Sequence, residues 1–120
     1  MDCFLCQKHA GVAAQPPGGY ISRSEYWQVC HAPVEKGPLG TLFIESSRHF
    51  LDFSEASSEE LAQYGILLKQ VYTALHTLTG AERIYQVVML EGIPHFHAWL
   101  IPRAAGIEER GIAFLAKDLA

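Results

Sequence analysis

The sequence predicts an α+β fold, because short β-rich runs lie on both sides of one long amphipathic helix. Ser57 and Glu60 form a capping box that predicts the start of this helix, and Gly80 is a suitable end. Between them, apolar side chains recur at intervals of three and four residues, which places them on one helical face. These apolar positions are Leu61, Tyr64, Leu67, Leu68, Val71, Leu75 and Leu78.

Two β-rich runs precede the helix. Residues 26–30 and 41–44 contain β-branched and aromatic side chains, and residues 33–40 connect them with two prolines and two glycines. We therefore expect two antiparallel strands joined by a loop. Residues 15–19 hold two prolines and two glycines, so a turn or short linker is expected there.

Two further β-rich runs follow the helix. Residues 84–90 and 95–101 predict a hairpin whose turn is residues 91–94. Pro102 is expected to end the second strand, because proline cannot donate to a sheet. Residues 108–119 predict a short terminal helix, although Gly111 disfavours it.

The composition limits the class of protein. We expect one domain spanning residues 1–120, since this length can form a hydrophobic core without a metal. No apolar run approaches the roughly 18 residues that a membrane span needs, and no secretory signal follows Met1, so a cytoplasmic protein is expected. The net charge is −4 and the nine lysines and arginines are scattered, which argues against nucleic-acid binding. A small phosphate-bearing ligand is compatible with this charge, because a few backbone amides and one arginine can bind it locally.

Cys3 and Cys6 form a Cys-x-x-Cys motif. A reducing cytoplasm disfavours a structural disulfide, whereas this spacing lets two thiolates bind one metal ion from a tight turn. Zinc would then require two more ligands. Two alternatives stay open: a redox motif, which usually lies within a βαβ unit, and two incidental cysteines near a frayed end.

A histidine-containing strand is the second chemical signal. The period of two in a strand places His95, His97 and Trp99 on one face. The opposite face then carries Phe96, Ala98 and Leu100. Two histidines at this spacing are more often incidental or metal-binding than catalytic, so the pattern indicates a site without identifying it.

Taken in order, these motifs resemble the histidine triad (HIT) family, whose signature is His-x-His-x-His followed by two apolar residues and often Pro-Arg. Nearly the whole chain takes part: the Cys-x-x-Cys motif, the Gly-Thr-Leu-Phe-Ile segment 40–44, a histidine after it, the long helix, and residues 95–103. The resemblance implies an antiparallel sheet of about five strands with one long helix and shorter helical segments. It also implies a homodimer and a structural zinc ion. The implied zinc ligands are Cys3, Cys6, His49 and His95.

The same resemblance implies that His97 is a nucleophile. A neutral imidazole nitrogen would attack the phosphate of a nucleotide conjugate, and water would later release the nucleotide from a phosphohistidine. The implied substrates are nucleoside phosphoramidates, adenylylated compounds and dinucleoside polyphosphates, so a purine nucleotide or its conjugate is the expected partner. Attack requires the other ring nitrogen to donate to an acceptor such as a backbone carbonyl. Trp99, Arg103 and His31 are the expected substrate contacts.

Three departures from the family pattern bear on activity. Trp99 replaces the third histidine, and an indole cannot accept a hydrogen bond or carry a proton at neutral pH, although some relatives have glutamine there. Residues 91–94 form a short turn with an acidic residue and a proline, which disfavours phosphate binding. His31 stands where an acidic residue usually binds ribose.

These departures favour an alternative hypothesis, in which the chain is a zinc-stabilised nucleotide-binding or interaction protein with weak or no catalysis. A metalloenzyme with zinc at its reaction centre is disfavoured, because four protein ligands leave no open position on the metal.

Overall fold

The computed structural model describes residues 2–119 and contains a five-stranded antiparallel sheet with strand order β1-β2-β3-β5-β4. The α+β class and the strand number agree with the prediction. Single 3₁₀ turns lie at Val34–Lys36 and Phe53–Glu55. The helices and strands are α1 Phe4–His9, β1 Tyr20–Arg23, β2 Trp27–His31, β3 Leu42–Ser46, α2 Ser58–Thr79, β4 Ala81–Val87, β5 His97–Ala104 and α3 Ile112–Leu119.

The long helix α2 begins and ends where its capping residues predict. Ser57 Oγ accepts from the Glu60 amide at 3.1 Å, and the Glu60 carboxylate accepts from the Ser57 amide at 2.7 Å. Gly80 closes the helix in the left-handed conformation with φ 65°, where a side chain would be strained. At the two ends of the predicted apolar stripe, Leu61 and Leu78 are exposed rather than packed on the sheet.

The sheet has two different faces. Helix α2 covers one of them, and the Trp27 indole N–H donates to the Glu60 carbonyl at 2.9 Å across this layer. The predicted alternation in the last strand is confirmed, because Phe96, Ala98 and Leu100 pack in the core while His97 and Trp99 face away from it. The core of this layer comprises Trp27, Val29, Leu42, Ile44, Phe50, Tyr64, Val71, Leu75, Phe96, Ala98 and Leu100.

The predicted strand pairs are present, with shifted ends. Strands β2 and β3 pair antiparallel, and β4 pairs with β5 as the expected hairpin. The expectation that Pro102 ends the last strand was wrong, since β5 continues to Ala104. Pairing with β3 stops at Leu100, so Pro102 has only β4 as a neighbour and lies on an edge, where proline is tolerated.

The segments near the two termini also differ from expectation. The Cys-x-x-Cys motif lies in the short helix α1, and a strand that was not predicted, β1, precedes the predicted strand β2. The terminal helix begins only at Ile112, after Gly111 with φ 58°. Within residues 2–119, no helix combines the length and the apolar character that crossing a membrane requires.

The capping box of α2 can be tested by Ser57→Ala. We expect the free energy of unfolding to fall by about 1 kcal/mol, because the first turn loses an acceptor for one of its amides. Ser58→Ala is the matched control, since the Ser58 hydroxyl has no hydrogen-bond partner among the described residues. Equal unfolding free energies for the two variants in chemical denaturation would contradict this role.

Candidate metal centre and active site

The four predicted metal ligands meet at one point. Cys3 caps the N-terminus of α1, Cys6 lies in its first turn, His49 follows β3, and His95 precedes β5. Their ligand atoms all lie within 4.8 Å of one another. The two histidine Nδ1 atoms are 3.1 Å apart, and Cys3 Sγ lies 3.2 Å from His95 Nδ1. Cys6 Sγ lies 3.5 Å from His49 Nδ1 and 3.6 Å from His95 Nδ1.

The four distances between 3.1 and 3.6 Å are close to those of a tetrahedral zinc site. Zinc bonds of about 2.0–2.1 Å to nitrogen and about 2.3 Å to sulfur place neighbouring ligand atoms about 3.3–3.8 Å apart. His95 Nε2 donates to the Ser46 carbonyl at 2.7 Å, which leaves the Nδ1 lone pair facing the cluster. Burial lowers the pKa of His95, so its ring is neutral as a metal ligand must be. The donor set and its orientation therefore suit a structural zinc ion.

The two thiols also favour a bound cation. Burial and the neighbouring Cys3 together raise the pKa of the Cys6 thiol to about 11. Two neighbouring thiolates repel each other, and a bound divalent cation offsets that repulsion. His49 is the exposed member of the cluster, whereas His95 is fully buried.

One ring nitrogen of His97 is hydrogen-bonded to the backbone. Its Nδ1 donates to the backbone carbonyl of His95 at 2.8 Å. This bond leaves Nε2 as the ring nitrogen with a free lone pair. The backbone acceptor that nucleophilic attack requires thus comes from the residue two positions earlier, which is also a predicted metal ligand.

His97 and Trp99 line one cleft of about 680 Å³ on the sheet face opposite α2. The ring centroids of Phe43 and Trp99 lie 4.7 Å apart at an interplanar angle of 80°, so they form an edge-to-face aromatic wall. Pockets of this size commonly hold small-molecule ligands. Further apolar lining comes from Phe4, Leu5, Pro16, Pro17, Met89 and Ile93.

His31 also lines this cleft, but both of its ring nitrogens are used. Nδ1 donates to the Ala32 carbonyl at 2.6 Å, and Nε2 accepts from the Gly40 amide at 2.8 Å. A polar contact to a ribose hydroxyl would have to displace one of these bonds. Substrate binding by His31 therefore stays a prediction, and the intact structure offers only the ring surface for it.

Arg103 is not brought to the cleft. Its side chain is 2% exposed, Nη1 is 2.8 Å from a Glu82 carboxylate oxygen, and Nε donates to the Tyr85 hydroxyl at 3.2 Å. The same hydroxyl accepts from the Gly111 amide at 2.7 Å, so Arg103 helps attach the segment before α3 to the sheet. Substrate contact by Arg103 therefore stays a prediction, and the structure shows its side chain buried within β5.

A buried polar cluster at the floor of the cleft was not predicted. The Glu45 carboxylate accepts from Lys8 Nζ at 2.7 Å, His9 Nε2 at 2.9 Å and the Tyr20 hydroxyl at 3.1 Å. Burial alone would raise the pKa of Glu45, but hydrogen bonding to His9 and pairing with Lys8 outweigh it and lower the pKa to about 2. Glu45 is therefore ionised at neutral pH. Strand alternation within residues 42–46 was the available signal, because it places Glu45 on the face of Phe43.

Comparison with known proteins gives a likeness in structure only. No protein-family model matches the sequence, and no curated protein matches it. A zinc-bound histidine triad family protein from Mycobacterium smegmatis superposes with a TM-score of 0.73 at 16% identity, over 99% of this chain and 89% of that chain. A HIT family member from Bacillus subtilis gives a TM-score of 0.75 at 16% identity, over 99% and 90%. The chain has the histidine triad fold. At this identity the likeness establishes the fold alone.

A third structure with the histidine triad fold is a hypothetical histidine triad nucleotide-binding protein from Sulfolobus tokodaii. It superposes with a TM-score of 0.74 at 16% identity, over 93% of this chain and 78% of that chain. The predicted HIT-like fold is confirmed by these neighbours. The predicted metal cluster is likewise present in this chain, and a zinc-bound protein of the same fold is among the neighbours.

The metal centre can be tested by Cys6→Ser. We expect purified wild-type protein to carry one equivalent of zinc and the variant to carry much less. Losing about 3 kcal/mol of binding free energy would lower the melting temperature by about 10 °C. Cys30→Ala is the control in the zinc measurement, because its thiol lies outside the cluster. Wild-type protein that contains no zinc, and whose melting temperature a chelator does not change, would contradict the assignment.

Proposed function

We propose that this chain is a nucleotidyl hydrolase or transferase that forms a phosphohistidine intermediate on His97. The bond of 2.8 Å from His97 Nδ1 to the His95 carbonyl is the observation that carries this proposal. It leaves an unprotonated Nε2 on a side chain that lines an aromatic-walled cleft. The proposed substrates are dinucleoside polyphosphates, adenylylated compounds and nucleoside phosphoramidates.

The proposed reaction has two steps. In the first, Nε2 of His97 bonds to phosphorus, and the bond between phosphorus and the leaving group breaks with its electron pair passing to the leaving group. In the second, water attacks phosphorus, the nitrogen–phosphorus bond breaks, and a proton of that water passes to solvent. The imidazole returns to its neutral form, with Nδ1 still donating to His95.

Trp99 bears on the choice of leaving group. Its indole cannot supply a proton at neutral pH, so leaving groups that depart as stable anions are favoured over amines. Nucleotides and carboxylates are anions of this kind. The Trp99 N–H has no acceptor among the described residues, so it is free to donate one hydrogen bond to a phosphate oxygen.

The cleft and the metal centre have separate proposed roles. Phe43 and Trp99 offer aromatic surfaces against which a purine base can stack, and the nucleotide-binding neighbour from Sulfolobus tokodaii supports such a ligand. A zinc ion held by Cys3, Cys6, His49 and His95 would stabilise the fold around α1.

We place this activity in the cytoplasm, where reduced thiols favour metal binding over disulfides.

A second candidate function is nucleotide binding without efficient catalysis. Residues 91–94 supply few amides for a phosphate, and both His31 nitrogens are bonded to the backbone. These observations favour a protein that binds a mononucleotide and turns over little substrate.

The nucleophile can be tested by intact-protein mass spectrometry after brief incubation with dinucleoside polyphosphates and adenosine phosphoramidate. We expect an acid-labile nucleotidyl adduct on the wild type and none on His97→Ala, whose turnover should fall by about 10³-fold or more. His76→Ala is the control, because His76 is an exposed histidine on α2. Unchanged turnover in a zinc-loaded His97→Ala protein would exclude this mechanism, and nucleotide binding without any adduct would favour the second candidate.

We further propose that the chain forms a homodimer through the edge strand β4 and helix α2. Strand β4 ends one side of the sheet, and the exposed apolar residue Val88 follows it directly. An unpaired edge of this kind can add a strand from a second copy.

Sedimentation velocity should therefore give twice the chain mass for the wild type. We expect Val88→Glu to dissociate the dimer, because it would bury a charge at the interface. Ile21→Glu is the matched control, since Ile21 is an exposed apolar residue on β1 at the opposite edge. A monomeric wild type at high protein concentration would refute the dimer.

A further inference from the structure

An ion pair lies on the floor of an otherwise mostly apolar cleft. Lys8 is 5% exposed and Glu45 is fully buried, yet both line the cleft that His97 and Trp99 share. Glu45 is the direct cross-strand partner of His97 in the register of β3 and β5. The pair therefore lies beside the proposed nucleophile and below the aromatic wall.

Glu45 uses its hydrogen-bonding capacity fully, whereas Lys8 does not. One Glu45 oxygen accepts from His9 and Tyr20, and the other accepts from Lys8 and, at 3.5 Å, from the Cys30 thiol. The carboxylate therefore accepts four hydrogen bonds, which is its full capacity. The Lys8 ammonium has three N–H groups and finds two acceptors among the described residues, Glu45 Oε2 at 2.7 Å and Cys30 Sγ at 3.3 Å. Its nitrogen lies 5.4 Å from the centroid of the Tyr20 ring and 5.5 Å from that of Phe43. One N–H of Lys8 therefore has no hydrogen-bond acceptor among the described residues, and the ammonium lies beside Phe43 of the aromatic wall.

Stability alone does not explain this arrangement. Removing two charges from water is costly, and replacing a buried ion pair by apolar residues of similar volume is often neutral or stabilising. A lysine that lines a ligand pocket and has an N–H without an acceptor can also donate a hydrogen bond to a ligand. Glu45 then holds the ammonium in position.

We propose that Lys8 makes this cleft selective for nucleotides with a 6-oxopurine base. This inference rests on the proposed function, in which the cleft holds a nucleotide. Atoms O6 and N7 of a 6-oxopurine are neighbouring acceptors, and lysine pairs with both in known recognition. A 6-aminopurine instead presents N–H donors at position 6, which face the Lys8 donor and repel it. Phe43 and Trp99 bind either base by stacking, so the discrimination comes from Lys8.

The direct test compares inosine monophosphate with adenosine monophosphate, which differ at position 6 of the purine. Isothermal titration calorimetry on the zinc-loaded wild type should show that the inosine nucleotide binds about tenfold tighter or more. Lys8→Met combined with Glu45→Gln should bring the ratio of the two dissociation constants close to one, and it leaves neither charge unpaired. Lys36→Met is the matched control, because Lys36 is an exposed lysine that lines the same cleft, and the preference should be retained in this variant.

Zinc content and melting temperature establish that each variant is folded, and the wild-type comparison decides the proposal even if the double variant does not fold. Equal affinity of the wild type for the two nucleotides would overturn it, as would a preference that survives in the double variant. Inosine selectivity without a covalent adduct would support Lys8 and contradict the hydrolase. Turnover without a base preference would overturn this inference alone, and binding of neither nucleotide would overturn both.

Discussion

His95 makes three bonds on which both parts of the site depend. Its Nδ1 belongs to the metal cluster, its Nε2 donates to Ser46, and its backbone carbonyl accepts from His97 Nδ1. Because His95 is fully buried, water does not compete for these bonds. His95 therefore has two effects. Its own ring is held with Nδ1 toward the metal cluster, and its carbonyl selects the tautomer of His97, the proposed nucleophile. A change that moves the His95 backbone would disturb both at once.

The register between β3 and β5 decides what surrounds His97. Glu45 lies opposite His97 and Phe43 lies opposite Trp99, and cross-strand partners project from the same face of a sheet. A slip of one residue would turn these side chains toward α2 and expose the core residues that alternate with them. The packing of Ile44, Ala98 and Leu100 under α2 therefore holds the cleft residues in place from the opposite face.

The sequence predicted best what depends on local pattern. The capping box, the end of the helix at Gly80 and the alternation in β5 are local features, and the structure agrees with each. The metal cluster joins residues up to 92 positions apart, so it was reached only through the resemblance of the ordered motifs.

The missed features depend on tertiary burial. Lys8 and Glu45 are charged residues that composition alone would leave at the surface, and each is buried because the other accompanies it. Arg103 was expected to contact substrate, whereas it is buried because β5 extends past Pro102 and the segment before α3 is attached beside it. The periodicity of apolar residues does not predict which charged residues pair, and it does not predict where the pairing of β3 with β5 ends.

Helix α1 connects the metal centre with the cleft floor. It has six residues, and isolated helices below about 12–15 residues are marginal in water, so its position depends on what attaches it. Cys3 and Cys6 attach its start to the metal cluster, while Lys8 and His9 attach its end to Glu45. Loss of the metal would release the first attachment and leave only the C-terminal end of the helix held, by Lys8 and His9 on Glu45 and by Arg23 on the His9 carbonyl. Phe4 and Leu5 lie on this helix and form an apolar part of the cleft wall, so they would then lose their fixed position. The shape of the ligand pocket therefore depends on the metal centre beside it.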